Sequence, residues 1–284
     1  MAAPGKITRP PGERIKNDRT DALRLARLLR LGELTPVDVP TPEREAIRDL
    51  VRARDATRSD LMRARHRLSK FLLRHGRVYP KGKTWTGLHT EWLRTQRFDE
   101  PSAQASFDHY FGQVLGATER RRALDQQITD LATTAPFAPI VARLKCLRGI
   151  GDVTAVGLCA EVGDWRRFSG RSLGSWVGLT PTESQSADRH SRGPISRRGS
   201  AHARWLLIES AWHHRRALRP SPELERRRAG QPEQVIARAR AAERRLHRRW
   251  RHLADHRKLR STIVTTAIAR ELAGHLWSLA AMEG

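Results

Sequence analysis

Three stretches of the 284-residue chain gather side chains that could do chemistry. The richest is GLTPTESQSADRHSRGPISRRGSAHARWLL, residues 178–207, which holds five serines, five arginines and two histidines. A serine hydroxyl among guanidinium groups is how a nucleophile would meet a phosphate, because the cations stabilise charge that develops during attack. Composition alone does not choose among the five hydroxyls; Arg192, Arg197 and Arg198 are among the cations. A solvated phosphate-binding loop has the same composition, and no general base is identifiable here. The second stretch is KNDRTDALRLA, residues 16–26, where Asp18 and Asp21 stand three apart. On a helix both carboxylates project from one face, and two such groups can hold Mg²⁺ together with water and substrate phosphates. The plainer alternative makes Asp18 an N-cap and Asp21 a first-turn acid favoured by the helix dipole.

The third stretch is LKCLRGIGDVTAVGLCAEVGDW, residues 144–165. Leu144 and Leu147 share a helical face, Gly149-Ile150-Gly151 makes a tight turn, and Ala155, Val156 and Leu158 resume a helix. This L-x-x-L-x-G-I-G-x-x-x-A spacing is that of a helix-hairpin-helix. Its glycines bring backbone N–H groups against a phosphate at a helix N-terminus, a grip on the backbone that does not read sequence. A plain helix-turn-helix packing unit is the alternative. Most of the eight tryptophans suit a core. Trp85 and Trp92 differ in lying within a basic insert, RHGRVYPKGKTWTGLHTEWLRTQRF (74–98), where they could stack on unpaired bases. The histidines of WHHRR (212–216) and RHLADH (251–256) lack the carboxylate or Cys that would complete a metal-ligand set, and read as surface or phosphate-facing groups.

Composition narrows the partners. Lys and Arg number 54 against 30 Asp and Glu, a formal net charge of +24. Such a charge repels itself unless a polyanion meets it. Nucleic acid is the expected polyanion, since each neutralised phosphate releases condensed counterion. No apolar run approaches the roughly 20 residues that span a bilayer, and the opening residues lack the apolar core of a secretory leader. Two cysteines, Cys146 and Cys159, read as buried thiols of a cytoplasmic protein.

The elements that must position these groups are mostly helical. Residues 1–16, with three prolines, form an extended lead-in. A leucine-rich helix runs from residue 17 or 18 to Gly32, and LTPVDVPTP (34–42) links it to a long helix ending near Arg74. A second long helix, 102–133, pairs antiparallel with the first. Pro136 and Pro139 mark a boundary, after which short apolar helices surround a polar loop from Pro181 to Gly199. A charged linker (219–233) precedes two terminal helices, 235–256 and 259–282. No convincing strand set is present, so the class is mainly α.

The order of these segments resembles one family. KNDRTDALRLARLLRLGEL is similar to the last acidic motif, D-x-x-D before a leucine-rich helix, of the RuvC-like domain in transposases of the insertion-sequence-110 (116/110/902) family. LRGIGDVTAVGLCAEVGDWRRF and the serine-rich stretch after it resemble that family's C-terminal domain. The likeness runs from about Pro4 to Ser278. It implies a recombinase of an insertion sequence, with a four-acid Asp-Glu-Asp-Asp site that binds Mg²⁺ and a serine that attacks DNA. It also implies a structured guide RNA and a dimer or tetramer acting on double-stranded DNA. Asp18 and Asp21 match the third and fourth acids. Ser186 matches the nucleophile of the P-x-E-x-x-S-G segment, with Ser184 the alternative and Ala187 standing where the family has Gly. Gly193, Ile195, Arg198 and Gly199 match the R-G-x-I-x-x-x-G stretch that follows.

The implied organisation is a C-terminal remnant of a RuvC-like domain (1–40), a coiled-coil hairpin with a basic aromatic insert (41–136), and a helical C-terminal transposase domain (137–284). That last domain contains the helix-hairpin-helix (144–165) and the serine loop (178–199). The family's first Asp and its Glu lie upstream of the segment matched here, so the expectation is a truncated chain that binds nucleic acid without cutting it. A non-catalytic transposase remnant is therefore the alternative to an enzyme. A helical nucleoid-type protein would account for the charge but not for the order of motifs.

Overall fold

Where apolar residues recur at three- and four-residue spacing the chain is helical, and the computed structural model is mainly α: eleven α-helices and one two-stranded sheet among the described residues. Those residues are Ala2, Ile7, 17–186, 189–219 and 221–282. Most of the expected extended lead-in, and Ala187, lie outside them. The chain divides into two units, residues 1–45 and 46–284.

The first unit is built on α1 (Asp18–Arg30). Asn17 caps it, its side chain accepting from the Arg19 N–H at 2.9 Å. Asp18 is thus a first-turn residue and not the cap. Gly32 ends the helix at φ 70°, and the Glu33 N–H donates to the Leu28 carbonyl in a Schellman arrangement. α1 buries none of its residues, and Leu23 and Leu29 are exposed.

In the second unit, α2 (Pro42–Arg74) and α4 (Pro101–Thr134) run antiparallel. Arg54 meets Asp125 at 2.6 Å and Arg67 meets Gln113 at 3.0 Å, so successive turns of one face successive turns of the other. Between them α3 (Gly87–Thr95), capped by Thr86, closes a small core of Leu61, Leu68, Phe71, Leu93, Phe107 and Val114. The C-terminal part of the basic insert therefore folds as a helix with its own apolar anchor.

A larger core joins the other ends of these helices, Ile47 and Val51 with Ile128 and Ala132, to the remaining elements. Those are α5 (Ala138–Leu144), α6 (Asp152–Val162), α7 (Ser172–Trp176), α8 (Ala201–Ala211), α10 (Glu233–Arg251) and α11 (Ser261–Ala280), while α9 (Pro222–Arg228) contributes no residue to this core. α11 is apolar on most faces and packs against α5, α7, α8 and α10, burying Val264, Ile268, Leu272, Leu276 and Leu279. Each large side chain so buried contributes about 2 kcal/mol. α10 is amphipathic, with Val235, Ala239, Ala242, Leu246 and Trp250 inward, and one π-turn (His252–His256) extends it.

Two expectations are corrected. The segment 219–233 is not only a linker: α9 lies within it, with Leu224 and Arg228 buried. The stretch 181–195 is not a loop but an antiparallel ribbon, β1 (Pro181–Ser186) and β2 (Arg189–Ile195). Strands are recognised by alternation of apolar and polar residues, and these two are polar at every position from Thr182 to Ser186 and from Arg189 to Arg192. No helix among the described residues is long and apolar enough to cross a membrane.

Candidate functional site

The ribbon carries the candidate serines. Cα register pairs Ser184 with Ser191, Gln185 with His190, Ser186 with Arg189 and Glu183 with Arg192, with a bulge between Pro181 and Glu183. Ser186 is therefore the last residue of β1. At the foot of the ribbon the two strands approach closely: Thr182 Oγ1 donates to the Pro194 carbonyl at 3.1 Å, and it occupies the space a Cβ on Gly193 would need. Below this, the Ser196 N–H donates to the Thr180 carbonyl at 2.9 Å and the Arg197 N–H to the Gly178 carbonyl at 3.1 Å. Gly178 (φ 72°) and Gly199 (φ 75°) stand at the two ends of the segment, each against opposing backbone where no side chain fits. Arg197 (φ 55°) and Arg198 are exposed at this foot. A groove of about 450 Å³, lined by Ile195, Arg197, Ile263, Thr266 and Arg270 among others, separates the foot from α11.

What anchors the foot is a carboxylate that motif reading missed. Glu161, with a side chain 3 % exposed, sits on α6 and takes both prongs of Arg52, at 2.9 and 3.1 Å. It also accepts from the Ser200 hydroxyl at 2.9 Å and faces His202 Nδ1 at 3.2 Å, with Arg48 at 3.8 Å. Ser200 in turn caps α8, its Oγ accepting from the Ala203 N–H at 3.1 Å. Burial by itself would raise the Glu161 pKa. Hydrogen bonds from His202, Arg52 and Ser200, with the Arg52 charge, outweigh it and hold the pKa at about 2. Arg204 adds a second tie, donating to the Val177 carbonyl at 2.9 Å and the Arg198 carbonyl at 3.3 Å. One signal was available: an acid in the apolar run GLCAEVG must find partners when buried.

The Gly149-Ile150-Gly151 turn joins α5 to α6. Gly149 has φ 84°, and a Cβ there would stand 2.8 Å from the Ser210 carbonyl and 3.0 Å from the His213 ring. Gly151 is the N-cap of α6, with open space where a Cβ would go. α9 braces this turn: Arg227 donates to the Ile150 carbonyl, and buried Arg228 joins the Cys146 carbonyl to Glu243. Glu243 also accepts from the Arg148 N–H at 2.9 Å. Asp152, in the first turn of α6, is paired with Lys145.

Asp18 and Asp21 share the first turn of α1, where Asp18 is exposed and Asp21 meets Arg24 at 3.1 Å. Hard carboxylate oxygens at this spacing suit Mg²⁺, with Arg24 competing for one of them. Among the described residues no group of three or more His, Cys, Asp or Glu is arranged to hold a metal. Trp85 and Trp92 are half-buried. The Arg65 guanidinium lies 4.9 Å from the Trp85 ring, and Trp92 stacks on His89 at 5.6 Å. Of the histidines read as surface groups, His214 is fully buried, because the turn after α8 directs it inward, and its carbonyl lies 3.0 Å from His247 Nδ1. Burial first, then Arg148 and neighbouring histidines, lower its pKa to about 3. Both cysteines are free and buried.

Two family models match the chain. One, the transposase IS116/IS110/IS902 family, covers residues 141–226, which include the G-I-G turn, the ribbon and α8. The other, an IS110-type DEDD transposase model, covers residues 6–76, which include Asp18 and Asp21. The transposase for insertion sequence element IS1533 of Leptospira borgpetersenii is 36 % identical over 91 % of this chain and 76 % of its own length. The Sinorhizobium fredii protein y4qE, which carries a transposase name, is 38 % identical over 99 % of this chain and 68 % of its own. The transposase for IS1328 of Yersinia enterocolitica is 27 % identical over 72 % of this chain and 61 % of its own. The class so defined is that of insertion-sequence transposases. More particularly, the chain belongs to the IS116/IS110/IS902 family.

Proposed function

We propose that the protein cleaves and rejoins double-stranded DNA with Ser186 as nucleophile, Ser184 being the alternative position on the same strand. The observation that carries this reading is the mounting of the serine ribbon. Its foot is tied by paired backbone, by two left-handed glycines and by the Ser200–Glu161 bond, so a reacting group on it would be held in place. In the cleavage step the serine oxygen bonds to phosphorus as it loses its proton. The bond from phosphorus to one bridging deoxyribose oxygen breaks, and that oxygen leaves as a hydroxyl. Rejoining is the reverse attack by a hydroxyl of another DNA end. Arg192, Arg197 and Arg198 neutralise the phosphate, and the G-I-G turn with its α6 N-terminus grips backbone. Asp18 and Asp21 are the residues that would hold Mg²⁺, an ion whose charge neutralises phosphate oxygens. A structured guide RNA and a dimer or tetramer of the chain complete the reading.

A second reading keeps the binding and drops the cutting. Of the family's four acids, two are assigned here. One experiment addresses both: the purified 284-residue chain is incubated with Mg²⁺ and labelled duplex carrying the element's ends, then denatured and resolved on a gel. A covalent protein–DNA band lost in Ser186→Ala supports the nucleophile, and one lost only in Ser184→Ala moves it two residues. Retention of the band in both variants overturns the assignment. Binding with no band in the unaltered chain supports the second reading.

A further inference from the structure

The outer face of α10 is a surface that the ribbon chemistry does not use, and it lies beyond residue 226, where the family match to the C-terminal half ends. Between residues 241 and 260 the sequence holds eight Lys and Arg against two acids, Glu243 and Asp255. Glu243 is buried on the opposite side with Arg228. Arg244, Arg245, Arg248, Arg249, Arg251 and His252 are all exposed. Some of this charge is internally matched. Arg245 and Arg249 reach Glu271 of α11 at 3.4 and 3.2 Å, and Arg251 meets Asp255 at 2.9 Å. Arg244 and Arg248 have no acidic partner among the described residues.

The geometry makes a row. Arg244, Arg248 and His252 follow one another at four-residue spacing, about 6 Å per step along the axis. Two hollows of about 510 Å³ each flank the Arg248–His252 ridge. One is lined by Arg245, Arg249 and Glu271, the other by His247, Arg251 and His256, and both share Arg248 and His252. The row is held rigid from behind, since Leu246 and Trp250 are buried against the core. A solvated helix face ordinarily interleaves acids with bases. This one does not.

We propose that the outer face of α10 is a second DNA-binding surface, a straight cationic row that seats the phosphate backbone of a duplex away from the serine ribbon. It takes a duplex because the exposed row offers no Trp, Tyr or Phe ring on which unpaired bases would stack, and it grips without reading sequence because guanidinium–phosphate contacts carry no base information. The inference rests on the reading of the protein as one that handles DNA, but not on Ser186.

The test is fluorescence anisotropy with a labelled 30-bp duplex of arbitrary sequence, titrated between 50 and 300 mM NaCl. Each phosphate contact contributes about 0.9 to the slope of log K against log salt, so R244Q/R248Q should flatten the slope by about 2 and weaken binding about 30-fold near 0.15 M. R63Q/R122Q, which removes the same charge from exposed positions on α2 and α4, should leave the slope unchanged. Equal slopes for R244Q/R248Q and the unaltered chain overturn the proposal, as do equal losses in the two double variants, which would report net charge alone. A loss seen only with a single-stranded RNA 30-mer also overturns it. Because Arg244 and Arg248 are exposed and unpaired, the thermal midpoint serves as the folding control. A chain that forms no covalent adduct yet loses slope in R244Q/R248Q retains this surface while losing the serine mechanism.

Discussion

Arg52 on α2 and Glu161 on α6, 109 residues apart in sequence, meet in a two-pronged ion pair at 2.9 and 3.1 Å. The same carboxylate holds Ser200, one residue past the glycine that ends the serine segment. A long helix of the hairpin and the foot of the ribbon are thus tied to one buried acid. Glu161→Gln leaves a neutral amide among groups arranged for an anion, and removing one member of a buried pair costs about 3 kcal/mol. The urea midpoint should fall accordingly. Arg52→Ala should cost less, since that side chain is half-exposed and Ser200, His202 and Arg48 still attend the carboxylate. Equal stability of Glu161→Gln and the unaltered chain would remove Glu161 from this role.

Acid should destabilise the protein in two stages. His214 is buried neutral with its pKa lowered to about 3, while the unfolded chain protonates near 6.5. Above 6.5 neither state binds the proton. Below it the unfolded state gains one, so stability falls as pH drops from about 6.5 towards 3. Glu161, at about 2 when folded against 4.5 unfolded, contributes stability that is present above 4.5 and lost as pH falls towards 2. Urea unfolding at pH 7 and pH 5 isolates the first stage. His214→Leu should lose about 2 kcal/mol less over that interval than the unaltered chain, and parallel losses would assign the acid sensitivity to other groups.

Glycines 199 and 151 should separate folding from binding. At Gly199 the backbone is left-handed and a Cβ would meet the Trp176 carbonyl, so Gly199→Ala should destabilise by more than the ~1–2 kcal/mol of the backbone conformation alone. At Gly151 the backbone is extended and the Cβ space is open, so Gly151→Ala should fold normally. If the turn seats a phosphate, it should bind duplex several-fold more weakly all the same. Unchanged binding by a folded Gly151→Ala would leave the turn a packing unit.

Trp85 should matter to stability before it matters to nucleic acid. Its ring packs on the small core, edge-on to His89 at 5.0 Å and beneath Arg65. Truncation of a partly buried tryptophan costs about 2–3 kcal/mol, below the range for a fully buried one. Trp85→Ala should lower the thermal midpoint. A folded, equally stable Trp85→Ala with weakened binding to single strands would restore the ring to base stacking.

The helices were legible because each buries a stripe whose three- and four-residue spacing is written locally, as in Val235, Ala239, Ala242 and Leu246. Gly149 and Gly199 were legible for a similar local reason, since left-handed backbone favours that residue type. The ribbon was not, because backbone hydrogen bonds pair its strands while their residues show no apolar–polar alternation. Nor was Glu161: a buried acid announces that it needs partners, but which arginine, serine and histidine answer depends on how α2, α6 and α8 pack. His214 shows the same limit from the other side. Its adjacent residues His213 and Arg215 are as polar as it is, and only the turn that closes α8 decides that this ring, and not the next, is carried out of water.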